Sequence, residues 1–450
     1  MSRLLARSRE LLLLLFATGL LALMLFGLET SQGRTLSTEM LYIIGGFIGV
    51  YAIAHVAIAF LAPYADQVML PVVALLNAIG LVVIYRLDLA ERPLYGPLAE
   101  RQMLWSLVGV GLMVLTLIVI RDHKSLSRYS YLLGLVGLIL LALPLVWPQP
   151  PGYEEARIWL WLGPFSIQPG EFSKILLLIF FAQLLAQKRA LFTVAGKRFL
   201  GLTFPRLRDL APILMVWAIA ILIMAVSNDF GPALLLFATV LGMVYFATGR
   251  ASWLAIGFAL VAVGGYAVYQ VSSKIQDRVA NFIDPFADFE GTGNQPANAL
   301  MGLSWGGITG TGLGYGHPEL VPVAHSDYIL AALGEELGFV GIAAVLCLFG
   351  VFITRGFRTA MQVRDSYGKL LASGLALTIA IQIFVVAGGV SAMLPMTGLT
   401  TPFMSAGGSS VMANYILLGL LLRISNSANR PADYDAVAAG TAKPEVVGAR

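Results

Sequence analysis

Runs of about twenty apolar residues recur along almost the whole chain, each long enough to cross a hydrocarbon layer about 30 Å thick as a helix. Such a segment has one comfortable environment, because a helix satisfies its own backbone hydrogen bonds where lipid offers none. The runs fall at about 11–28, 41–62, 68–86, 104–120, 131–147, 170–187, 211–227, 230–247, 252–270, 328–353, 370–392 and 403–422. They predict an all-α polytopic membrane protein with about twelve transmembrane helices, although the join near Asn228 also reads as one long broken helix. With 58% hydrophobic and 12% charged residues, the chain has too little charge to cover a soluble surface. The same balance excludes a disordered chain. The first run ends in Leu28-Glu29-Thr30 without a small-x-small cleavage site and is read as a retained helix. A single cysteine, Cys347, excludes an intramolecular disulfide and a cysteine-based metal site.

Lysine and arginine set the orientation, since positive loops stay cytoplasmic. With the N-terminus inside, the cytoplasmic segments hold 21 of the 29 basic residues and the other side holds 8. Both termini are then cytoplasmic, and the net charge of +4 is a topology signal that gives a nucleic-acid partner no support. Two outer segments are long, about 148–169 and 271–327, the second carrying Asp277, Asp284, Asp288, Glu290, Glu319 and Asp327. Long structured loops are usually functional. The stretch 427–450 has no apolar period and reads as a disordered cytoplasmic tail.

Ionisable residues in or beside membrane helices are costly, so each is a candidate for function. Glu171 and Lys174 follow Gln168-Pro169-Gly170 at i and i+3 on the first turn of a helix, as a structural ion pair or part of a site. Asp229, before Phe230-Gly231-Pro232, is expected chiefly to cap a helix, with an outer cavity as the alternative. Arg157 lies among aromatics of interfacial type, so it anchors the interface or contacts a phosphate. Arg278 precedes the loop acids by ten residues in the case of Asp288, and Gly291-Thr292-Gly293-Asn294-Gln295 follows; a solvated acidic face is the plain reading of that segment. Glu335 and Glu336 are expected to pair with arginine or hydroxyl partners inside the bundle, and His325 to be a hydrogen-bonded structural residue. The small residues Gly407-Gly408-Ser409-Ser410 suit close helix packing. Neither a phosphate-binding loop nor a zinc-protease motif occurs.

In order and spacing these pieces resemble the SEDS family (shape, elongation, division and sporulation). The resemblance rests on Ala156-Arg157-Ile158-Trp159-Leu160, Gln168-Pro169-Gly170-Glu171 with Lys174, Asp229-Phe230-Gly231, Asp284-Pro285 with Asp288, and Gly291 through Gln295. It continues through Gly310-Thr311-Gly312-Leu313-Gly314, Pro322 through Ile329 with Glu335-Glu336-Leu337-Gly338, and Thr401 through Ser410, spanning roughly residues 68 to 424. Gly170, Phe230, Asn294, Val323 and Ala406 depart from the residues usual in the family, and Val323 stands where a glutamate is usual.

The resemblance implies a ten-helix catalytic core over 63–426, with residues 1–62 adding two N-terminal helices. It further implies a peptidoglycan glycosyltransferase that polymerises lipid II outside the cytoplasmic membrane, beside a class B penicillin-binding protein and other elongation or division membrane proteins. An elongation role is favoured weakly over division by the short tail. Asp288 aligns with the family's proposed catalytic base, and Arg157, Glu171, Lys174, Arg278 and Gln295 are the candidate substrate-binding residues. A hydroxyl nucleophile needs a base within reach, and a departing diphosphate needs positive charge. A Mg²⁺ or Mn²⁺ ion suits that second task, and no organic cofactor is implied. A lipid II flippase is the alternative, which would place essential groups through the membrane depth; a non-catalytic scaffold is a third reading.

Overall fold

The computed structural model describes residues 6–34, 37–90, 97–150, 157–163, 165–193, 198–199, 202–203 and 207–431. The tail beyond residue 431, residues 151–156 of the outer segment 148–169, and most of the basic loop around 194–206 lie outside the described residues. Every apolar run is a helix: α1 (Ser8–Ser31), α2 (Thr38–Leu61), α3 (Met69–Asp88), α4 (Leu98–Val119), a short α5 (Lys124–Arg128), α6 (Ser130–Val146), α7 (Pro169–Thr193), α8 (Leu207–Val226), α9 (Phe230–Thr248) and α10 (Ser252–Val271). After α10 come α11 (Ser273–Ile283) and α12 (Asn294–Gly306) in the long loop, then α13 (Ile329–Gln362), α14 (Ser366–Val390) and α15 (Gly408–Ala428). Two small hairpins, β1 (Leu160–Leu162) with β2 (Phe165–Ile167) and β3 (Arg198–Phe199) with β4 (Leu202–Thr203), complete the order.

Among the described residues ten helices are long and apolar enough to cross a membrane, fewer than the twelve expected. The two shorter apolar helices are α6, which contains Pro144, and the Leu214–Val226 part of α8. Near Asn228 the chain forms two helices. Asn228 takes φ 57°, a left-handed conformation that ends α8 before α9 begins.

Helices α3 and α15 form the centre, 94% and 89% buried over their apolar windows, whereas α10 is 6% buried and outermost. The centre is tight because glycine lets backbones meet. A Cβ at Gly80 of α3 would lie 2.5 Å from the Met404 carbonyl oxygen, and one at Gly408 would strike the Trp105 ring. Asn77 Nδ2 donates to the Phe403 carbonyl at 3.2 Å, and the Tyr51 and Tyr415 hydroxyls lie 2.6 Å apart.

The N-terminal pair α1–α2 is fastened to the rest at both ends. On one face, buried Arg7 pairs with Glu10 and donates to the carbonyls of Ala65 and Pro63, while His55 Nδ1 lies 2.6 Å from Glu10. On the other, Tyr85 donates to Glu29 at 2.5 Å and Gln32 to the Gly314 carbonyl at 2.5 Å. This second face carries the long loop and is called the loop face below. Helix α13 is broken at Gly338, whose φ of 65° and ψ of −169° are non-helical, so the expected single helix at 328–353 is two segments. The break follows from contact: a Cβ at Gly338 would sit 2.3 Å from the Gly310 nitrogen, and Phe339 and Val340 donate to the Gly307 and Ile308 carbonyls.

Candidate active site

Helix α11 is amphipathic and lies outside the apolar spans, and its sequence explains its orientation. Lys274, Arg278 and Asn281 recur at i, i+4 and i+7, one face of a helix, and all three line a cavity of about 220 Å³ on the loop face. Asp277 and Phe282 of α11, Thr292, then Gln295, Pro296 and Leu300 of α12, Asp327, Tyr328 and the segment 389–396 complete its wall. Arg278 donates to the Thr397 carbonyl at 3.1 Å, and Lys274 to the Asn228 carbonyl at 3.2 Å. Gln295 donates to the Pro322 carbonyl at 2.7 Å. Three non-glycine residues in the left-handed region are tied to this cavity: Ala392 on its wall, Asn228, whose carbonyl accepts from Lys274, and the β-branched Val323, next to the Pro322 that accepts from Gln295. Strain of that kind collects where the surrounding structure fixes a functional geometry.

Glu171 and Lys174 form the expected pair, 2.6 Å apart and mostly buried, and line an adjoining cavity with Met224, Thr239 and Thr378. Asp229 makes no capping hydrogen bond, so the expected cap is corrected. Its backbone takes φ −108° and ψ 67°. Burial and the neighbouring Glu171 push Asp229 up to about 6, against the pull of Lys274 and Arg278. Burial likewise pushes Asp327 up to about 6, opposed by Arg278, and lowers the Arg278 guanidinium. Burial and nearby Arg101 lower His325 to about 4, which makes it neutral at physiological pH and agrees with a structural role.

Asp288 sits on an exposed turn outside the cavity wall. Its Oδ2 accepts from the Thr292 amide at 2.8 Å and from the Thr292 hydroxyl at 3.2 Å. Thr292 lines the cavity and exchanges hydrogen bonds with Asn281, so one residue links the Asp288 carboxylate to the α11 face. Gly291 leaves room for this arrangement, since a Cβ there would lie 2.3 Å from Oδ2 and 2.5 Å from Oδ1 and would displace the Asp288 carboxylate. Asp284 accepts from the Phe286 amide in its own turn, and Glu290 is exposed.

Of the candidates named from sequence, the structure brings Arg278 and Gln295 to the cavity, Glu171 and Lys174 to its neighbour, and Asp288 to the rim. Arg157 does not join them: it is exposed beside β1 and donates to the Leu145 carbonyl, because the hairpin carries it away from α11. Lys274 and Asn281 were missed, although the spacing of 274, 278 and 281 was a readable signal, while Asp327 was named only as a loop acid and Thr292 only as part of a motif. The Thr401–Ser410 segment supports the site from below. Ser409 accepts from the Gln168 amide at 2.8 Å, and Ser405 donates to the Ser326 carbonyl at 2.5 Å. Among the described residues no three His, Cys, Asp or Glu side chains converge as a cation site, so they do not form a closed protein site for a metal ion.

Fold and site together define a multi-pass helical membrane protein with a charged cavity beneath one long loop. Residues 66–430 match the FtsW/RodA/SpoVE cell cycle protein family, and the chain belongs to that family. It is 49% identical over 429 residues to the peptidoglycan glycosyltransferase RodA of Mycobacterium tuberculosis, covering 94% of this chain and 92% of that protein. A solved peptidoglycan synthase complex that coordinates polymerization and crosslinking contains a chain matched with a TM-score of 0.64 and 27% identity, over 81% of this chain and 98% of that one. The rod shape determining protein RodA of Thermus thermophilus matches with a TM-score of 0.58 and 25% identity, over 82% of this chain and 98% of its own.

Proposed function

We infer that this chain is a peptidoglycan glycosyltransferase that joins lipid II units into glycan strands at the loop face of a bacterial cytoplasmic membrane. One observation carries the reading: Lys274 and Arg278 on one helical face line a cavity whose rim residue Thr292 holds the Asp288 carboxylate. The loop face is outside and both termini are cytoplasmic, following the split of basic residues.

In the reaction, the 4-hydroxyl of one saccharide attacks the anomeric carbon of another, and undecaprenyl diphosphate leaves with inversion. Oδ2 of Asp288 is held by Thr292, which orients the carboxylate to take the hydroxyl proton. Lys274 and Arg278 stabilise charge growing on the diphosphate. Gln295 binds the saccharide and steadies the 322 segment, while the Glu171–Lys174 pair beside Asp229 sets the field behind the cavity. The apolar wall residues Phe282, Leu300, Leu394 and Met396 receive the lipid end of the substrate. A divalent ion, Mg²⁺ or Mn²⁺, fits here only with substrate oxygens completing its shell. A class B penicillin-binding protein, with other elongation or division membrane proteins, works beside it, a proposal supported by the likeness to the synthase complex.

Purified protein incubated with labelled lipid II, with and without the partner, tests this function. Glycan polymers are the expected product. Transbilayer movement of lipid II without polymer would replace the reading with a flippase, which the helix breaks at Asn228 and Gly338 resemble.

A further inference from the structure

A cavity of about 580 Å³ lies on the face opposite the long loop, larger than the 220 Å³ cavity of the candidate active site. It forms where the end of α9 (Phe246, Ala247), the last turns of α13 (Phe357, Met361) and the start of α14 (Lys369, Leu370) meet. On α14 its wall residues Ser366, Lys369, Leu370 and Ser373 fall at i, i+3, i+4 and i+7, one helical face. The cavity therefore reaches roughly 10 Å into the apolar layer, at about 1.5 Å per residue.

Its depth is mostly carbon, with the Ser373 hydroxyl among it, and its mouth is charged. Phe246 and Phe357 meet edge to face at 5.9 Å, beside Ala360 and Leu370. Arg358, Arg364 and Lys369 are all exposed around the α13–α14 connection. The acid in that connection, Asp365, is engaged elsewhere: it lies 2.7 Å from His123 Nε2 and accepts from the Gly368 amide at 2.7 Å. Water has few polar partners in such a space, and hydrocarbon fills it better. We propose that this cavity binds an anionic phospholipid of the adjoining leaflet, with one acyl chain between Phe246, Phe357 and Leu370 and its phosphate at Lys369. The site is separate from the saccharide chemistry, and the lipid acts as a bound structural ligand of the α9–α13–α14 corner.

The test titrates delipidated full-length protein in neutral detergent with phosphatidylglycerol or with phosphatidylcholine of the same acyl chains, counting bound lipid by native mass spectrometry. Phosphatidylglycerol is expected to bind about fivefold tighter or more, the weight of one lysine near an anionic headgroup. Lys369→Met should erase that preference while leaving lipid II polymerisation unchanged. Ala360→Phe, which narrows the cavity, should weaken both lipids by about tenfold. Met361→Trp, at an exposed position on the same wall, gives the same reading if the phenylalanine variant does not fold. Equal binding of the two lipids by the wild type, an unchanged preference in Lys369→Met, or full binding in the narrowed-cavity variants would each overturn the proposal.

Discussion

Two charged clusters on the loop face differ in whether their charges meet in direct ion pairs. In the first, Arg86 donates to Glu336 at 2.8 Å and to the Gly316 carbonyl at 2.6 Å, and lies 3.4 Å from Glu319. Glu335 beside it accepts from the His317 amide at 2.5 Å. In the second, Asp229 and Asp327 feel the Arg278 guanidinium without a direct ion pair, around a cavity. Direct ion pairs to Arg86 hold the broken helix α13 against α3. Charges around a cavity without a direct ion pair are poised to meet a ligand's charge.

Removing one partner from the directly paired cluster should have the largest effect. Arg86→Met leaves Glu336 buried without its cation, a cost of about 3–5 kcal/mol, and should abolish a monodisperse peak in size-exclusion chromatography. Arg86→Met with Glu336→Gln should recover much of that peak; no recovery would mean that Arg86 matters for something besides this pairing. Lys174→Met should destabilise by a few kcal/mol for the same reason. Its double variant with Glu171→Gln should fold yet fail to polymerise, and full activity there would make the pair structural only.

Across the cavity the expected loss moves from stability to rate. Arg278→Gln should lower polymerisation by about 100-fold, as loss of a charge-stabilising donor does, and stability by only about 1 kcal/mol for one hydrogen bond. A large drop in melting temperature with a normal rate would place Arg278 among the structural charges. The smallest effect is on pH dependence. Asp229 and Asp327, raised from the ordinary 3.8 to about 6, keep their protons longer in the folded chain than in the unfolded one. Stability should therefore fall as pH rises from about 4 to 6 and then level, because the folded state binds more protons in that window. Asp327→Asn should flatten the fall in melting temperature; an unchanged slope would show that Asp327 does not titrate there.

Most of the fold was legible because apolar run length is a local property, and each run became a helix. Pairing was legible where partners are sequence neighbours, as for Glu171 and Lys174. It was legible only in kind for Glu336, whose partner Arg86 lies 250 residues away. The break at Gly338 was hidden, since it depends on contact with the 307–310 segment. Asp229 misled for a related reason: Asp before Gly-Pro suits a cap, but burial beside Glu171 and Arg278 outweighs that local preference. Within the site, the acids of the loop were visible, whereas the turn that joins Asp288 to Thr292 and Asn281 exists only in three dimensions.

Asp288→Asn, assayed for lipid II polymerisation beside its melting temperature, tests the central claim most directly. Asparagine keeps the size and most hydrogen bonds of the turn but cannot take the hydroxyl proton. General base catalysis contributes about 10²–10⁴-fold, so the expected result is a loss of at least about 100-fold with little change in melting temperature. Asp284→Asn and Glu290→Gln, assayed in parallel, should stay close to the wild-type rate. An Asp288→Asn protein that polymerises within a few-fold of wild type, or three acids of equal sensitivity, would contradict a general base at Asp288.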